Sequence, residues 1–426
     1  MLKKQHDPDS TLARTLAATA AAYRRANRVS HHVLGFTVKL LVAVYFLFAL
    51  LFLLLRYIVL PNIDFYKGDI ERIAGRVIGS DVKIARIYAS WQGLRPNLFL
   101  GDVTLRGRDG RTSLNLPSVS ATLSWLSVPA FSVRFERLEV IRPELDVTRD
   151  SQGRMYVAGI FLDPSQNDGK GKGMDWLLSQ REIVIREGVV HWNDHARNAP
   201  RLSLGSVNLL LRNRWRRHRF ALEATPPQEF GGPVNVRANF VHPAFAANIA
   251  DVRQWKGELY TSVQETDLAA WRTYVTYPVA VEQGRGSVRA WMALDHARLA
   301  DFTADLTLTG VVARFGKEMD ALRLKRVNGR ISARETIATK KPADGTPTFG
   351  ALGHTVAVTD FSLETFDGLS LPPTTIAETY TPAQGGQPEK RVVSAKLLDL
   401  GTLASMAERL PVTPATRQML RDFAPR

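Results

Sequence analysis

Residues Leu40 to Leu55 read LLVAVYFLFALLFLLL, sixteen positions without a charge or a helix breaker. A helix apolar on every side has no face to offer water, so it is buried in protein or in lipid. At ~1.5 Å rise per residue it covers roughly 24 Å, a little under the ~30 Å of a bilayer's hydrocarbon core. The flanks complete it: Val33 to Val38 is largely apolar, Lys39 can reach the interface along its own stem, and Tyr57 to Leu60 adds a turn. Pro61 is expected to end the helix. A cleaved signal peptide has a shorter apolar core and a small-residue cleavage site. Here the run leads into RYIVLPN with no A-x-A pattern, so it reads as an uncleaved anchor.

Charge sets the expected orientation. Met1 to His32 carries Lys3, Lys4, Arg14, Arg24, Arg25 and Arg28 against only Asp7 and Asp9. Beyond the span Arg56, Lys67, Arg72 and Arg76 are offset in part by Asp64, Asp69 and Glu71. The positive-inside rule then keeps the N-terminus in the cytoplasm of a bacterial cell and places the body of the chain beyond the inner membrane. The net charge of +15 favours anionic partners, and that placement favours a membrane surface over nucleic acid, which it excludes as a partner. With no cysteine, neither a disulfide nor a thiolate metal site can form.

After the span the period of the apolar residues changes. Tyr66, Ile70, Ile73, Ala74, Val77 and Ile78 recur at helical spacing, so Phe65 to Gly79 reads as a short amphipathic helix with Gly79 as its C-cap. From there the period is two. Leu123 and Trp125 close one alternating run; Phe131, Val133 and Phe135 form the next. Leu145/Val147, Ile183/Ile185, Leu202/Leu204, Val207/Leu209/Leu211, Phe220/Leu222/Ala224, Val234 to Phe240, Val288 to Leu294 and Phe302 to Leu308 follow as separate runs. RDGR (Arg108–Arg111), RDSQGR (Arg149–Arg154) and PPQEFGGP (Pro226–Pro233) are the turns.

The expected fold is therefore mainly β: a transmembrane helix and a short amphipathic helix, then an elongated, mostly antiparallel sheet. Its single apolar face must be covered or left open. With few helices in sight, the sheet is expected to curl into a groove. The likeness of TDLAAWRTYVTYPV (Thr266–Val279) to LDLGTLASMAERLPV (Leu398–Val412) implies repeating modules. The expected divisions are a cytoplasmic tail (1–32), an anchor (33–60), the amphipathic helix (61–80), a first groove segment (81–164), a flexible loop (165–175) and further groove modules (176–426).

Catalytic signatures do not emerge. DGKGKG (Asp168–Gly173) lacks the spacing of a phosphate loop, and no G-x-S-x-G occurs. HWNDH (His191–His195) lies in strand-like sequence, which sends neighbouring side chains to opposite faces and argues against a metal site. No enzyme activity and no cofactor are expected. The stretch RNRWRRHRF (Arg212–Phe220) holds five arginines around Trp215 and falls between two strands. It reads as a solvated hairpin turn, with Arg214, Arg216 and Arg217 as candidates for contact with lipid headgroups or a membrane surface.

ARIYASWQGLRPNLFLGDVTLRGRDGR (Ala85–Arg111) and FERLEVIRPELDVTRDSQGR (Phe135–Arg154), behind a tail, a span and a short helix, resemble the N-terminal part of the YhdP group of AsmA-like proteins. The most specific piece is the W-x-G-x-x-P-x-L-x-L run of Trp91, Gly93, Pro96, Leu98 and Leu100, with Pro143, Leu145, Val147, Arg149, Asp150 and Gly153 forming a second. The resemblance implies an inner-membrane-anchored periplasmic β-groove of Gram-negative bacteria that carries phospholipid towards the outer membrane, a part of outer-membrane biogenesis. Its implied partners are phospholipid, the inner membrane, and outer-membrane or periplasmic proteins. Members run well beyond this length, so the chain is expected to be the leading part of a longer protein. The groove-lining candidates are Leu123, Trp125, Phe131, Val133, Phe135, Leu209, Leu211, Phe220 and Leu222. The alternative is a non-enzymatic scaffold or assembly factor of the cell envelope.

The charge asymmetry makes a prediction of its own. Alkaline phosphatase fused after residue 80 should be active, and the same reporter fused to the N-terminal tail inactive. The reverse pattern overturns the orientation.

Overall fold

The computed structural model describes residues 33–423, apart from 79–80, 107–111, 159, 163–171, 247–248, 250, 278, 297, 317, 336–352, 384–385 and 411–413. The tail 1–32, the Gly79 cap, the turn Arg108–Arg111 and most of the loop 165–175 lie outside the described residues. The chain divides into two compact units, Met1–Phe65 and Tyr66–Arg426.

In the first unit, α1 covers 33–54 and its side chains are almost all exposed, as a helix solvated by lipid requires. It is the one described helix long and apolar enough to cross a membrane. Pro61 does not end the helical course. A π-helical turn at Leu55–Val59 passes into a 3-10 segment, Leu60–Tyr66, with the break at Asn62. Proline is tolerated there because the start of a new helical segment does not need its missing N–H.

In the second unit, α2 (Lys67–Ile78) precedes the meander β1 (Asp81–Gln92), β2 (Arg95–Arg106) and β3 (Thr112–Leu123). The short α3 (Ser127–Ala130) leads to β4 (Phe135–Ile141) and β5 (Glu144–Arg149), which run end to end. β6 (Met155–Val157) and β7 (Ile160–Leu162) extend β5. After α4 (Lys172–Ser179), which takes up the last residues of the expected loop, β8 (Glu182–Asp194) pairs in parallel with β4 and β5. The rest is antiparallel: β9 (Leu202–Arg214), β10 (Arg217–Thr225), β11 (Val234–Val241), β12 (Lys256–Asp267), then α5 (Leu268–Trp271). It continues with β13 (Ala280–Asp295), β14 (Arg298–Arg314), β15 (Leu322–Glu335), β16 (His354–Thr365), β17 (Ser370–Thr381) and β18 (Lys390–Ala395). α6 (Leu400–Met406) and α7 (Pro414–Phe423) follow. The eighteen strands of the described residues belong to one sheet.

Several apolar runs that look separate in sequence are halves of single strands. Leu202 and Leu204 continue as Val207, Leu209 and Leu211 in β9, and Ile183 and Ile185 continue as Gly188 and Val190 in β8. Between the halves sits a residue with left-handed backbone: Ser206 (φ 48°) and Glu187 (φ 52°). Such a residue acts as a bulge and shifts the side-chain phase by one, so the same face stays apolar. Asp102 (φ 51°), Arg142 (φ 52°), Glu265 (φ 49°) and Asp360 (φ 48°) do the same elsewhere. By register Asp102 faces Pro117, Pro117 falls opposite Arg142, and Arg142 falls beside Glu187. The bulges thus form a transverse crease. A non-glycine residue held there costs about 1–2 kcal/mol, which the unbroken ladders on both sides sustain.

The crease divides the apolar face into two flanks. On the flank holding Val311, Leu322, Leu324 and Leu371, helices close it: Met406 of α6 is fully buried in this cluster, with Leu403 and Leu410 beside it. Phe230 packs edge-on to Trp271 of α5 at 5.1 Å, and the Trp271 indole N–H donates to the Phe230 carbonyl at 3.0 Å. Asp267 and Asp399 cap α5 and α6 alike by accepting backbone N–H bonds, so the repeat read in the sequence is one covering device used twice. At the start of the sheet, α2 protects the edge: Glu71 accepts from the Ile84 N–H at 2.8 Å and Lys67 donates to the Ala85 carbonyl at 3.1 Å.

Gly286 lies at the crease in β13 with φ 156°, and a Cβ there would stand 2.0 Å from the Thr307 carbonyl oxygen. Gly286→Ala should therefore destabilise the second unit by about 2–4 kcal/mol in denaturant titrations. A change below ~0.5 kcal/mol would show that the ladder at the crease yields freely.

Candidate functional site

On the second flank the same face is not closed along its whole length. Near the N-terminal strands it is covered: Leu98, Val119, Ala121, Val140 and Ile183 are buried, and α2 packs on β1 and against α4. From β9 onward the apolar side chains are half-exposed. Leu209 pairs with Leu222 and Leu211 with Phe220, Phe220 with Ala238 and Leu222 with Val236. Leu259 and Met292 pair next, then Met292 and Phe302, Phe302 and Ala333, and Ile331 and Val358. Because directly paired residues share a face, these side chains form one apolar strip crossing β9 to β16. Alternation in the sequence held the signal for Val236, Met292 and Phe302; only their pairing shows them to continue the strip begun by Leu209, Leu211, Phe220 and Leu222.

The remaining groove candidates are placed differently. Leu123 pairs with Phe135 across a bulge, and the Phe135 ring meets Trp176 of α4 edge-on at 5.9 Å. The Trp176 indole N–H donates to the Val133 carbonyl at 2.8 Å, so α4 covers this end of the face. Phe131 and Val133 precede β4 and are not in a strand. Phe131 ends α3 in the left-handed region (φ 47°) and is almost fully exposed. Trp125 lies beyond β3 and donates from its indole to the Leu94 carbonyl at 3.0 Å. The break in the alternation at Ser124 to Arg134 is a rim loop: Pro129 and the short helix interrupt the strand ladder.

The opposite face is polar and laced with ion pairs. Glu182 binds Arg212 (2.7 Å) and Arg137 (2.5 Å); Asp305 binds Arg330 (2.6 Å) and Arg289 (3.3 Å). The hydrogen bond from Arg330, stronger than the opposing effect of burial, holds the Asp305 carboxyl below the usual carboxylate range. In the HWNDH stretch, His191 bonds Ser203 and Glu144 at 2.8 Å each, while buried Asp194 takes a two-pronged bond from Arg149. Among the described residues no cluster of His, Asp and Glu is arranged to hold a metal ion.

The RNRWRRHRF turn is tighter than the sequence implies. β9 runs to Arg214 and β10 starts at Arg217, leaving only Trp215 (φ 51°) and Arg216 as the turn. Beneath it buried His218 stacks on Trp255 (4.7 Å, 6°) and on His242 (5.2 Å). Asn213 uses its amide N–H₂ on the Gln180 carbonyl, so its oxygen accepts from His218 Nδ1 at 2.7 Å, leaving His218 Nε2 buried without a partner. Burial, with the nearby His242 adding to it, pushes the His218 imidazole down from 6.5 to about 4.

A family model described as YhdP protein matches residues 26–426 of the chain. No curated protein and no solved structure matches it.

The depressed His218 imidazole sets a pH dependence. The unfolded chain takes up this proton near pH 6.5 and the folded one only near pH 4, so His218 opposes folding increasingly as pH falls through that window. Thermal melts from pH 7 to pH 4 should show the wild type losing stability faster than His218→Phe. An equal slope in both proteins rules this group out as the cause.

Proposed function

From a chain that belongs to the YhdP family, with one helix long and apolar enough to anchor it in a membrane, we propose a lipid conduit. The anchor sits in the bacterial inner membrane with the N-terminus cytoplasmic, and the β unit lies in the periplasm and carries phospholipid towards the outer membrane. The observation that supports this best is the half-exposed apolar strip from Leu209 in β9 to Val358 in β16. A soluble sheet hides such a strip under protein, and among the described residues helices do so on the other flank and at the N-terminal end. Acyl chains laid on the strip leave water, and each shielded CH₂ contributes about 0.8 kcal/mol. A continuous strip lets a lipid move without exposing its chains, and headgroups stay in water beyond the rim. The strip supplies affinity and a path. Direction comes from partners at its ends, envelope proteins or the membranes themselves. No bond is made or broken in this reading, so it calls for no catalytic residue and no cofactor.

A scaffold role has one observation in its favour. Among the described strands β18 has a full ladder with β17 on one side, and all six of its residues are exposed, Val392 and Val393 among them. An unpaired edge of that kind accepts a strand from another protein.

Photo-crosslinking separates the two. Probes at Phe220, Met292 and Ile331 should capture phospholipid in cells, and probes at the neighbouring Ala221, Arg289 and Arg330 on the polar face should not. Leu222→Asp should abolish the lipid adducts while the melting temperature changes little, because a half-exposed carboxylate keeps its water. Adducts to protein alone from the apolar positions defeat the conduit reading.

A further inference from the structure

Turns at one rim of the sheet display large apolar side chains that cover nothing. Register places the β1–β2 turn, the α3 loop, the β9–β10 turn and the β11–β12 loop along the same rim: Gln92 faces Arg95, Leu123 faces Phe135, Arg214 faces Arg217, and Arg217 faces Val241. At their tips Leu94 is 69% exposed, Leu126 62%, Phe131 97%, Trp215 80% and Phe245 98%. From β1 to β12 this row crosses about eight strand spacings, some ~40 Å. Across these strands the opposite rim differs: the loops 150–154, 195–201 and 226–233 display no exposed aromatic side chain among the described residues, Phe230 being buried, and exposed aromatics return on that rim only at Phe315 and Phe366, beyond β12.

The same rim is basic. Residues 93–95, 124–134, 214–217 and 242–256 contain one carboxylate, Asp251, which Arg253 engages at 2.8 Å. Against it stand Arg134, Arg214, Arg216 and Arg217, while Arg95 and Lys256 are held by Glu136 and Asp295 beside the rim. Arg214 and Arg217 are exposed and form no ion pair with a carboxylate of the described residues. The Arg216 guanidinium lies 5.9 Å from the Trp215 ring and donates to the His242 carbonyl at 2.9 Å, so the tip rests on the stacked His218, His242 and Trp255 and is not free to fold away.

We propose that this rim is a docking surface for an anionic lipid bilayer, with Leu94, Leu126, Phe131, Trp215 and Phe245 entering the interfacial layer and the arginines meeting the headgroups. The chemistry of the row selects that occupant. Indole and phenyl groups on polar turns settle at the depth of the headgroups, where the ring leaves water and the backbone keeps it. Arginines beside them gain from the negative surface potential. A protein partner would call for one continuous, closely packed patch; this is a row of separate tips with the unpaired Arg214 and Arg217 at its middle. The chain's own anchor keeps a bilayer within reach, which raises the effective concentration of such a surface. The inference does not rest on lipid passage along the apolar strip.

The chain has no cysteine, so single thiols can be introduced cleanly. Full-length Phe131→Cys, Trp215→Cys and Phe245→Cys, each labelled with an environment-sensitive fluorophore, would be reconstituted in nanodiscs of phosphatidylcholine with or without phosphatidylglycerol. Ser151→Cys on the opposite rim is the control. With phosphatidylglycerol the three rim labels should brighten and be quenched by lipid-attached quenchers, and the Ser151 label should not. Arg214→Ser with Arg216→Ser and Arg217→Ser should weaken docking on the order of a hundredfold, since each cation contributes roughly fivefold. High salt should act in the same direction. Rim labels that stay in water in both lipid compositions overturn the proposal, as does a response that needs added envelope protein. Crosslinking from Phe220 reports on the strip separately, so failure of one reading leaves the other standing.

Discussion

An antiparallel ladder ties every inward side chain to the one directly opposite, and in this protein that constraint holds unbroken from β8 to β18. Leu209 faces Leu222, which faces Val236, and so on to Val358, because no strand slips its register by a single residue without compensation. The crease shows how strict this is. A left-handed residue in the middle of a strand is unfavourable, yet Asp102, Arg142, Glu187 and Ser206 all adopt it, since the alternative is to turn half of each strand's apolar residues out to water.

With register fixed, the apolar face is shared out between protein and open surface. The two Asp-capped helices and the packing around Met406 close one flank; α2 and α4 close the N-terminal end of the other. The strip that remains open is therefore bounded by structure and is not an accident of a thin fold. Trp176 marks the boundary: among the described residues α4 is the last helix on this flank, α5 and α6 lying on the other.

The basic charge is divided as unevenly as the apolar surface. On the polar face, arginines lie across strands from Glu139, Glu182, Asp301 and Asp305, pairs that contribute little stability each but offset part of its positive charge. Glu139 illustrates the balance: burial raises its pKa, but hydrogen bonds from Arg186 and Arg137 lower it by more, and the carboxylate stays charged. At the rim around Trp215, Arg214 and Arg217 stand without a carboxylate partner, and Arg216 rests on a platform of aromatic rings.

Much of this was present in the sequence. The uncharged run Leu40–Leu55 determines a helix that must be shielded from water on every side, by lipid or by protein, because it has no polar face to offer. Period-two alternation determines a sheet with one apolar face, and Leu209, Leu211, Phe220 and Leu222 could be assigned to that face from their spacing alone. Three things were decided only by tertiary structure. Alternation that breaks phase looks in sequence like the end of a strand; whether Ser206 ends one or bulges within it depends on the partner strand. An apolar position reads the same whether lipid or protein covers it, so only the packing of Trp176 separates Phe135 from Phe220. Phe131 and Trp125 fit the alternating pattern by number but lie in a rim loop, because a local turn at Pro129 overrides a two-residue period that has no partner strand to enforce it.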